Sequence, residues 1–245
     1  MNHSVFIILG ASGGIGSALV RRLTGAGSTV VVAARSIDRL EALARETGTE
    51  AHVADATKFD EVQRVVSETI SRHGRLDGIA NCVGSILLKP AHLTSVEEYR
   101  ETIALNLDTA FFTVKAASRA MMNTGGSIVL CSSAVAQTGL VNHEAIAAAK
   151  AGVAGLVRSA AATYGHRNIR VNCVAPGLVE TPMTHRITSQ EAPRRQSESM
   201  HALGRLGQPD EVADVMAWLL DGSRSGWVTG QTIGVDGGLG TVRPR

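Results

Sequence analysis

The chain has few cysteines and no long hydrophobic run, and each shortage excludes a class of protein. Its three cysteines, Cys82, Cys131 and Cys173, stand far apart, with neither a CxxC motif nor a neighbouring histidine pair. This pattern disfavours a disulfide framework and a metal site, and it favours a reduced cytosol. The longest apolar runs, such as 215–220, are too short to cross a bilayer. Only Met1–Ser4 precede the first apolar run, too little for a signal peptide, so we expect a cytoplasmic protein.

An excess of charge of either sign is also missing. The chain carries 24 basic and 22 acidic side chains, and its formal net charge is +2 over 245 residues. This charge is too small and too dispersed to predict binding to nucleic acid or to an anionic membrane. We therefore expect the partner to be a small-molecule substrate.

Apolar, β-branched runs alternate with helical patterns along the chain. The predicted strands are 5–9, 29–32, 78–80, 127–130, 169–174 and 232–235, with 50–53 as a shorter and weaker candidate. The predicted helices are 15–24, 38–46, 60–72, 96–122, 147–163 and 210–220. Nearly continuous apolar strands are typical of a parallel sheet covered on both faces. The alternation predicts one α/β domain over residues 1–245, a doubly wound Rossmann domain of about seven parallel strands with helices on both faces.

Residues 179–207 interrupt this alternation. The segment has two prolines, several charges and little periodicity. A long irregular insertion late in an α/β domain is often a mobile substrate lid, and a plain surface excursion explains the same features equally well. We refer to residues 179–207 as the lid segment.

A glycine cluster, Gly10-Ala11-Ser12-Gly13-Gly14-Ile15-Gly16, lies directly between the first predicted strand and the first predicted helix. Gly10 permits the tight turn out of the strand, and Gly14 and Gly16 leave room for a pyrophosphate and for helix–sheet packing. The helix N-terminus behind them presents free N–H groups to phosphate. In this context the cluster predicts a dinucleotide site.

The end of the second strand indicates which dinucleotide is bound. An acidic side chain there would accept hydrogen bonds from the ribose of NAD, but the chain has Arg35 and Ser36. An arginine can bind a 2′-phosphate through charge-assisted hydrogen bonds, so NADP(H) is the predicted cofactor.

Further motifs make the chain resemble the short-chain dehydrogenase/reductase family over essentially its whole length. The glycine pattern, Asn81 with Gly84 after the fourth strand, and the C-terminal Gly230-Gln231 and Val235–Gly238 all match in order. Cys82 and Val83 depart from the family's usual NNAG ending. The resemblance implies a homotetramer, or else a homodimer. It assigns cofactor contacts to Gly10, Ser12, Gly13, Gly14, Ile15, Gly16, Arg35, Ser36, Asp55, Ala56, Asn81, Gly84, Lys150, Pro176, Gly177, Val179 and Thr181.

The resemblance also implies catalytic roles. Ser133 occupies the catalytic-serine position, and Asn106 matches the helix asparagine that holds a proton-relay water. Lys150 matches the lysine of the Tyr-x-x-x-Lys motif, but Ile146 stands where the family has its tyrosine. Because residues i and i+4 share one helix face, the family's lysine lowers the pKa of the tyrosine, which then protonates the substrate carbonyl. Isoleucine has no proton to give.

Other groups are weak replacements for this acid. Tyr164 lies 14 residues beyond Lys150, roughly 21 Å along a helix, and Tyr99 lies two turns before Asn106. His143 lies seven residues before Lys150, the spacing at which the enoyl-reductase branch of the family carries its tyrosine. A histidine can act as an acid near neutral pH. The alternative of an exposed loop histidine is the stronger one.

The remaining pocket candidates indicate a small, moderately apolar substrate. They are Ile86, Val135, Leu140, Ile146 and Met183. The leading hypothesis is an NADPH-dependent reductase with an atypical active site, for which a conjugated C=C or an imine is favoured over a plain ketone. A second hypothesis is a cofactor-binding protein without redox turnover, such as a partner subunit, a sensor or a non-redox catalyst. A third is that position 146 was changed deliberately.

Overall fold

The computed structural model of the chain describes residues 4–242. We expected residues Met1–Ser4 to be too short for a signal peptide, and of these four only Ser4 is among the described residues. The described chain forms one layered α/β domain, built around a parallel sheet with helices on both faces.

Seven parallel strands form the sheet in the order β3-β2-β1-β4-β5-β6-β7. Their bounds are β1 Val5–Leu9, β2 Thr29–Ala34, β3 Glu50–Val53, β4 Gly78–Asn81, β5 Gly126–Cys131, β6 Ile169–Pro176 and β7 Thr232–Val235. The chain adds β2 and β3 on one side of β1 and then returns to add β4 on the other side, so the order of strand addition reverses at β1. Strand β1 pairs in parallel with both β2 and β4. Such a switch point leaves a crevice at the carboxyl ends of the strands, where open α/β sheets bind ligands. The predicted doubly wound fold is confirmed.

Helices cover both faces of this sheet. They are α1 Gly14–Gly25, α2 Ile37–Thr47, α3 Phe59–His73, α4 Val96–Ile103, α5 Thr109–Met121, α6 Glu144–Tyr164, α7 His185–Thr188, α8 Glu191–Met200, α9 Pro209–Leu220 and α10 Gly222–Ser225. Alternate side chains of β1 enter opposite cores, because successive strand residues point to opposite faces. Ile7 and Leu9 pack with α3, α5 and α6, whereas Phe6 and Ile8 pack with α1, α2 and α9.

The structure departs from the predicted helices in two places. The helix predicted over 96–122 is interrupted by a π-helical segment, Ala104–Asp108, between α4 and α5. The lid segment, predicted to be irregular, contains α7 and α8. Helix α8 is almost entirely polar and is supported by ion pairs four residues apart, Arg194 with Glu198 and Arg195 with Glu191. Such a helix has no apolar periodicity for a sequence pattern to detect.

The segment Glu144–Arg167 is, by length and composition, apolar enough to cross a membrane. Its apolar character has another explanation in the fold. Ala149, Val153, Val157 and Ala160 are buried, and Val153, Val157 and Ala160 belong to the core on one face of the sheet. Helix α6 is therefore a core helix. Its N-terminal turns carry Ile146 and Lys150, which are described next.

Candidate active site

Two adjoining cavities open at the carboxyl ends of the strands. The first, which we call the cofactor cleft, has a volume of about 350 Å³ and is bordered by the turns after β1, β2, β3 and β4. It includes these predicted cofactor residues: Gly10, Ser12, Gly13, Gly14, Ile15, Gly16, Arg35, Ser36, Asp55, Ala56, Gly84 and Thr181. The tertiary structure thus brings together residues from four separate turns.

The glycine cluster of residues 10–16, which we call the glycine cradle, lies where the surrounding atoms leave no space for a Cβ atom on Gly10, Gly14 or Gly16. Gly10 has a positive φ of +73°, a conformation that glycine adopts without strain. A Cβ on Gly14 would lie 2.6 Å from Cγ2 of Thr181, and one on Gly16 would collide with the carbonyl oxygen of Gly10. Within the described residues, α1 begins at Gly14 without a side-chain cap or an acidic residue in its first turn. Its free N–H groups therefore suit an anion such as a pyrophosphate.

A cationic group lies at the far end of the cofactor cleft. Arg35 is exposed and lines the cleft. Across the described part of the chain, its guanidinium forms neither a hydrogen bond nor an ion pair. Arg39, in the first turn of α2, lines the same cleft and donates a hydrogen bond from Nε to Oγ of Ser36 at 3.3 Å. Arg39 was missed by the sequence analysis, although its closeness to Arg35 in the sequence was visible.

Asp55 forms the cleft wall after β3. Its Oδ1 accepts hydrogen bonds from the backbone N–H and the hydroxyl of Thr57, at 3.0 and 2.8 Å. Partial burial alone would raise the pKa of Asp55, but these hydrogen bonds, with the positive charges of Arg35 and Lys58, lower it. The carboxylate is therefore ionised and held in a fixed orientation on the wall of the cofactor cleft, where a cofactor contact was predicted.

The second cavity, which we call the catalytic cavity, has a volume of about 440 Å³ and shares a wall with the cofactor cleft. Every predicted catalytic and substrate-pocket residue lines it, together with three further predicted cofactor contacts that do not line the cofactor cleft. They are Ser133, Lys150, Asn106, His143, Ile86, Val135, Leu140, Ile146 and Met183, with Pro176, Gly177 and Val179. Neither tyrosine of the chain is among the lining residues, since Tyr99 is exposed and Tyr164 borders a surface groove.

Lys150 is the buried cation of this cavity. Its side chain lies on α6, with 6% of the residue exposed, and Nζ donates a hydrogen bond to the carbonyl oxygen of Cys131 at 2.7 Å. This is its one hydrogen-bond acceptor among residues 4–242, so two of its three N–H groups are available to a ligand. Burial lowers the pKa of Lys150, because the charged form loses its hydration.

Ser132 and Ser133 have different environments. The hydroxyl of Ser132 is buried and donates to the carbonyl oxygen of Lys150 at 2.8 Å, which joins β5 to α6. Oγ of Ser133 lies on the cavity wall and accepts a weak hydrogen bond from the N–H of Val135 at 3.4 Å. Ser133 is therefore the serine that can reach a substrate.

Ile146 stands one helical turn before Lys150 on α6. It is 5% exposed and lines the catalytic cavity, as the shared helix face of the two residues predicts. A side chain without a polar atom thus lies beside the buried ammonium group and the free serine hydroxyl. Position 146 itself therefore offers van der Waals contact to a substrate and no proton.

Asn106 lies in the π-helical segment between α4 and α5 and is 1% exposed. Its carboxamide is fully occupied by the protein: Oδ1 accepts from the N–H of Ser85, and Nδ2 donates to Oγ of Ser85 and to the carbonyl oxygen of Thr102. Single-turn π segments inside helices are frequent at functional sites. Here the segment turns a buried amide towards the loop that follows β4.

His143 precedes α6 at the rim of the catalytic cavity. It is partly exposed, and its Nδ1 lies 2.7 Å from the carbonyl oxygen of Val141. A carbonyl oxygen only accepts, so Nδ1 carries the proton of this hydrogen bond. The ring is oriented by the loop and has its Nε2 atom available.

Asn81 differs from the other predicted cofactor residues because it lines neither cavity. It is 2% exposed, and its Oδ1 accepts from the N–H of Val83 at 2.8 Å while Nδ2 donates to Oγ1 of Thr113. The structure therefore places Asn81 behind the wall, where it holds the turn that carries Gly84. A direct cofactor contact by its side chain does not follow from this geometry.

The lid segment closes one side of the catalytic cavity. Its base is held by an isolated parallel bridge between Val179 and Gly207, the two ends of the segment. Lid residues on the wall include Met183, Ile187, Met200 and His201. His201 was missed by the sequence analysis, because the segment showed no pattern that would place its side chain inward.

A comparison with known families matches residues 10–240 to a family described as "Enoyl-(Acyl carrier protein) reductase". The chain is 36% identical to 3-oxoacyl-[acyl-carrier-protein] reductase FabG of Thermotoga maritima over 247 residues, covering 98% of each chain. It is 34% identical to 2,5-dichloro-2,5-cyclohexadiene-1,4-diol dehydrogenase of Sphingobium indicum, covering 99% of each chain.

A solved structure shows the same architecture. It is a short-chain type dehydrogenase/reductase from Mycobacterium ulcerans, with a TM-score of 0.93 and 30% sequence identity, and the match covers 100% of this chain and 93% of that one. The similarity extends over the sheet, both helical layers and the lid segment.

Proposed function

Because the chain belongs to the short-chain dehydrogenase/reductase family, we propose that it is an NADP(H)-dependent reductase of a small, moderately apolar substrate. The family relatives named above are oxidoreductases. The finer assignments, namely the cofactor and the substrate class, rest on the residues of the two cavities.

The residues of the cofactor cleft fit a dinucleotide with a 2′-phosphate. The uncapped start of α1 suits the pyrophosphate. The guanidinium of Arg35, which has no partner within residues 4–242, lies with Arg39 and Ser36 on the cleft and suits the additional phosphate of NADP(H). The two available N–H groups of Lys150 suit the hydroxyls of the nicotinamide ribose.

The apolar side chain of Ile146, which lines the catalytic cavity together with Lys150, is the observation that carries the choice of reaction. When bound, the reduced nicotinamide supplies a hydride. Reducing a plain ketone also needs a proton donor at the carbonyl oxygen, and losing such an acid typically costs about 10²–10⁴-fold in rate. A conjugated C=C accepts hydride at its β carbon, and an iminium already carries its proton, so we favour these two substrates.

In this proposal the side chains of the catalytic cavity bind and orient the substrate and the cofactor. Ser133 donates a hydrogen bond to the substrate oxygen, on which negative charge develops in the conjugated case. Lys150 holds the cofactor and adds a positive charge next to the reacting groups. Ile146, Leu140 and Met183 hold the apolar part of the substrate, and the proton that completes the reduction comes from water.

The test measures NADPH oxidation by the purified protein with enones, cyclic imines and ketones, alongside the Ile146→Tyr variant. We expect the parent to turn over enones or imines, and the variant to gain ketone reduction by at least tenfold. NADH in place of NADPH serves as the cofactor control.

Two outcomes would contradict the proposal. If the parent binds NADPH but oxidises it with none of the substrates, the protein is a cofactor-binding protein without redox turnover. If the parent reduces ketones as fast as the Ile146→Tyr variant does, the absence of an acid at position 146 does not limit the reaction.

We also propose that the protein is a cytoplasmic homotetramer or homodimer. Support for self-association comes from large apolar side chains that remain at the surface, with Phe111 of α5 at 51% exposure and Trp227 at 100%. Exposed aromatic side chains are enriched at protein interfaces. Light scattering after size-exclusion chromatography tests this, and a monomer at micromolar concentration would contradict it.

A further inference from the structure

Asn106 and Ser85 form a two-point clamp on the wall of the catalytic cavity. Oδ1 of Asn106 accepts from the N–H of Ser85 at 3.1 Å, and its Nδ2 donates to Oγ of Ser85 at 3.0 Å. The second N–H of the same Nδ2 donates to the carbonyl oxygen of Thr102 at 2.9 Å. The clamp therefore fixes both the backbone and the hydroxyl of Ser85.

The orientation of the Asn106 amide follows from its backbone partners. The N–H of Ser85 can only donate and the carbonyl oxygen of Thr102 can only accept, so the amide oxygen must face Ser85 N and the amide nitrogen must face Thr102. As a consequence, Oγ of Ser85 accepts the remaining amide proton. The hydroxyl proton of Ser85 must then point elsewhere.

That proton has no acceptor among residues 4–242, and Ser85 is partly exposed on the wall of the catalytic cavity. The neighbouring Gly84 shows how close this wall comes to Lys150 and Asn106. A Cβ on Gly84 would lie 3.5 Å from Nζ of Lys150 and 3.0 Å from Oδ1 of Asn106. Ser85 is thus a second oriented hydroxyl donor on the cavity, in addition to Ser133.

We propose that Ser85 donates a hydrogen bond to the substrate oxygen that becomes negative during hydride transfer, with Asn106 as its positioning residue. This inference rests on the proposed reductase function and narrows its substrate class. Hydrogen-bond donors stabilise a developing oxyanion, whereas an iminium loses its charge on reduction and gains nothing from them. The favoured substrate is therefore a conjugated carbonyl compound, in which hydride adds to the β carbon and the electron pair moves to the oxygen.

The variants are Ser85→Ala, Ser85→Thr and Asn106→Asp. Removing one such donor costs about 10²–10³-fold in rate, so we expect Ser85→Ala to lower kcat for an enone by about 10²-fold, with NADPH affinity unchanged. Ser85→Thr keeps the hydroxyl and should retain most of the kcat. Asn106→Asp keeps the shape of the clamp but gives Ser85 a carboxylate acceptor, which should draw its proton away from the cavity and lower kcat as well.

Ser199→Ala is the matched control, because Ser199 lies on the exposed side of α8 and its hydroxyl already donates to the carbonyl oxygen of Gln196. A second readout does not depend on turnover. Binding of 4-nitrophenol to the NADP⁺ complex is followed by the visible absorption of its phenolate, which hydrogen-bond donors favour. We expect Ser85→Ala to weaken phenolate binding by about tenfold.

These readouts separate the two proposals. If no substrate is reduced but phenolate binding depends on Ser85, the reductase function fails and the donor role of Ser85 stands. If Ser85→Ala keeps both kcat and phenolate affinity within twofold of the parent, the donor role is overturned. It is also overturned if the parent neither turns over an enone nor binds the phenolate.

Discussion

The imidazole of His201 joins the lid segment to the loop after β6, because the N–H of Leu178 donates to its Nε2 atom at 3.1 Å. The other ring nitrogen, Nδ1, lies 2.6 Å from the carbonyl oxygen of Ser197, which can only accept. The proton therefore resides on Nδ1, and both nitrogens are used. With 2% of the residue exposed, the ring is buried between the lid and Gly177.

Replacing His201 with alanine should loosen the lid. The change leaves the N–H of Leu178 without its acceptor and opens a cavity beside Gly177, at a cost of about 2–4 kcal/mol. We expect a lower melting temperature and faster tryptic cleavage within residues 179–207. His92→Ala, at an exposed position, is the control, and equal cleavage rates for the two variants would show that His201 does not anchor the lid.

Cofactor choice should depend on Arg35. Its guanidinium is unpaired within the described residues, so Arg35→Ala removes a phosphate ligand without breaking an ion pair. Charge-assisted hydrogen bonds contribute about 1.5–3 kcal/mol, so we expect NADPH affinity to fall about 10- to 100-fold and NADH affinity to stay within twofold. Fluorescence titration of both nucleotides measures this. Arg45→Ala, at the exposed end of α2, should change neither, and equal losses for the two nucleotides would argue against 2′-phosphate recognition.

Two glycines of α1 provide a matched test of the cradle. A Cβ on Gly16 would collide with the carbonyl oxygen of Gly10 and lie 3.0 Å from Cα of Ala11, whereas one on Gly25 would meet nothing within 4 Å. Gly16→Ala should therefore lower the free energy of unfolding by about 1–3 kcal/mol and weaken NADPH binding. Gly25→Ala should be neutral or stabilising by up to about 1 kcal/mol. Urea unfolding curves decide between these signs, and equal effects would contradict the predicted crowding at Gly16.

Lys150→Met should change stability and binding in opposite directions. Burial lowers the pKa of Lys150 because the ammonium has lost water and has one hydrogen-bond acceptor among the described residues. Methionine fills similar space without that desolvation cost, so the protein without cofactor should gain about 1–2 kcal/mol. NADPH affinity should fall at least tenfold. A variant that loses both stability and affinity would show that the charge stabilises the fold itself.

The thiols should be unreactive in the folded protein near neutral pH. Burial raises the pKa of Cys82 and Cys131, which are partly exposed and line the catalytic cavity, and it raises the pKa of Cys173 to about 11. Iodoacetamide at pH 8 should therefore alkylate the native protein far more slowly than the unfolded chain, since only the thiolate reacts. Native thiols that react as fast as those of the unfolded chain would contradict this burial.

The raised pKa values of the three thiols also make the free energy of unfolding depend on pH. In the unfolded chain the thiols ionise near their ordinary pKa of about 8.5, while the folded protein keeps them protonated. Their contribution to stability is therefore complete below that pH and is lost as the pH rises towards 11. Urea unfolding at pH 7.5 and pH 10 measures the difference, and variants with alanine at the cysteines should show a smaller one.

Much of this architecture was predictable because local sequence patterns carry it. Six of the seven strands and the switch from β1 to α1 follow from apolar runs and from the glycines between them, whereas β3, which contains Glu50 and His52, has only a weak strand pattern. The lid helices were not predictable, since α8 is polar and gains its helical support from ion pairs such as Arg194 with Glu198. The π-helical segment around Asn106 was also missed, because the apolar pattern of 96–122 continues through it and therefore predicts one uninterrupted helix.

The sequence by itself determined the fold class, the glycine turn of the cofactor cleft and the identity of the side chain one turn before Lys150, because each depends on residues close together in the chain. Only the tertiary structure decided that Asn81 supports the wall from behind, that Arg39 joins Arg35, and that Asn106 holds Ser85 across 21 positions. These relationships depend on which strand ends and helices meet at the edge of the sheet. Contacts between distant segments are set by packing and hydrogen-bond geometry, which no local pattern records.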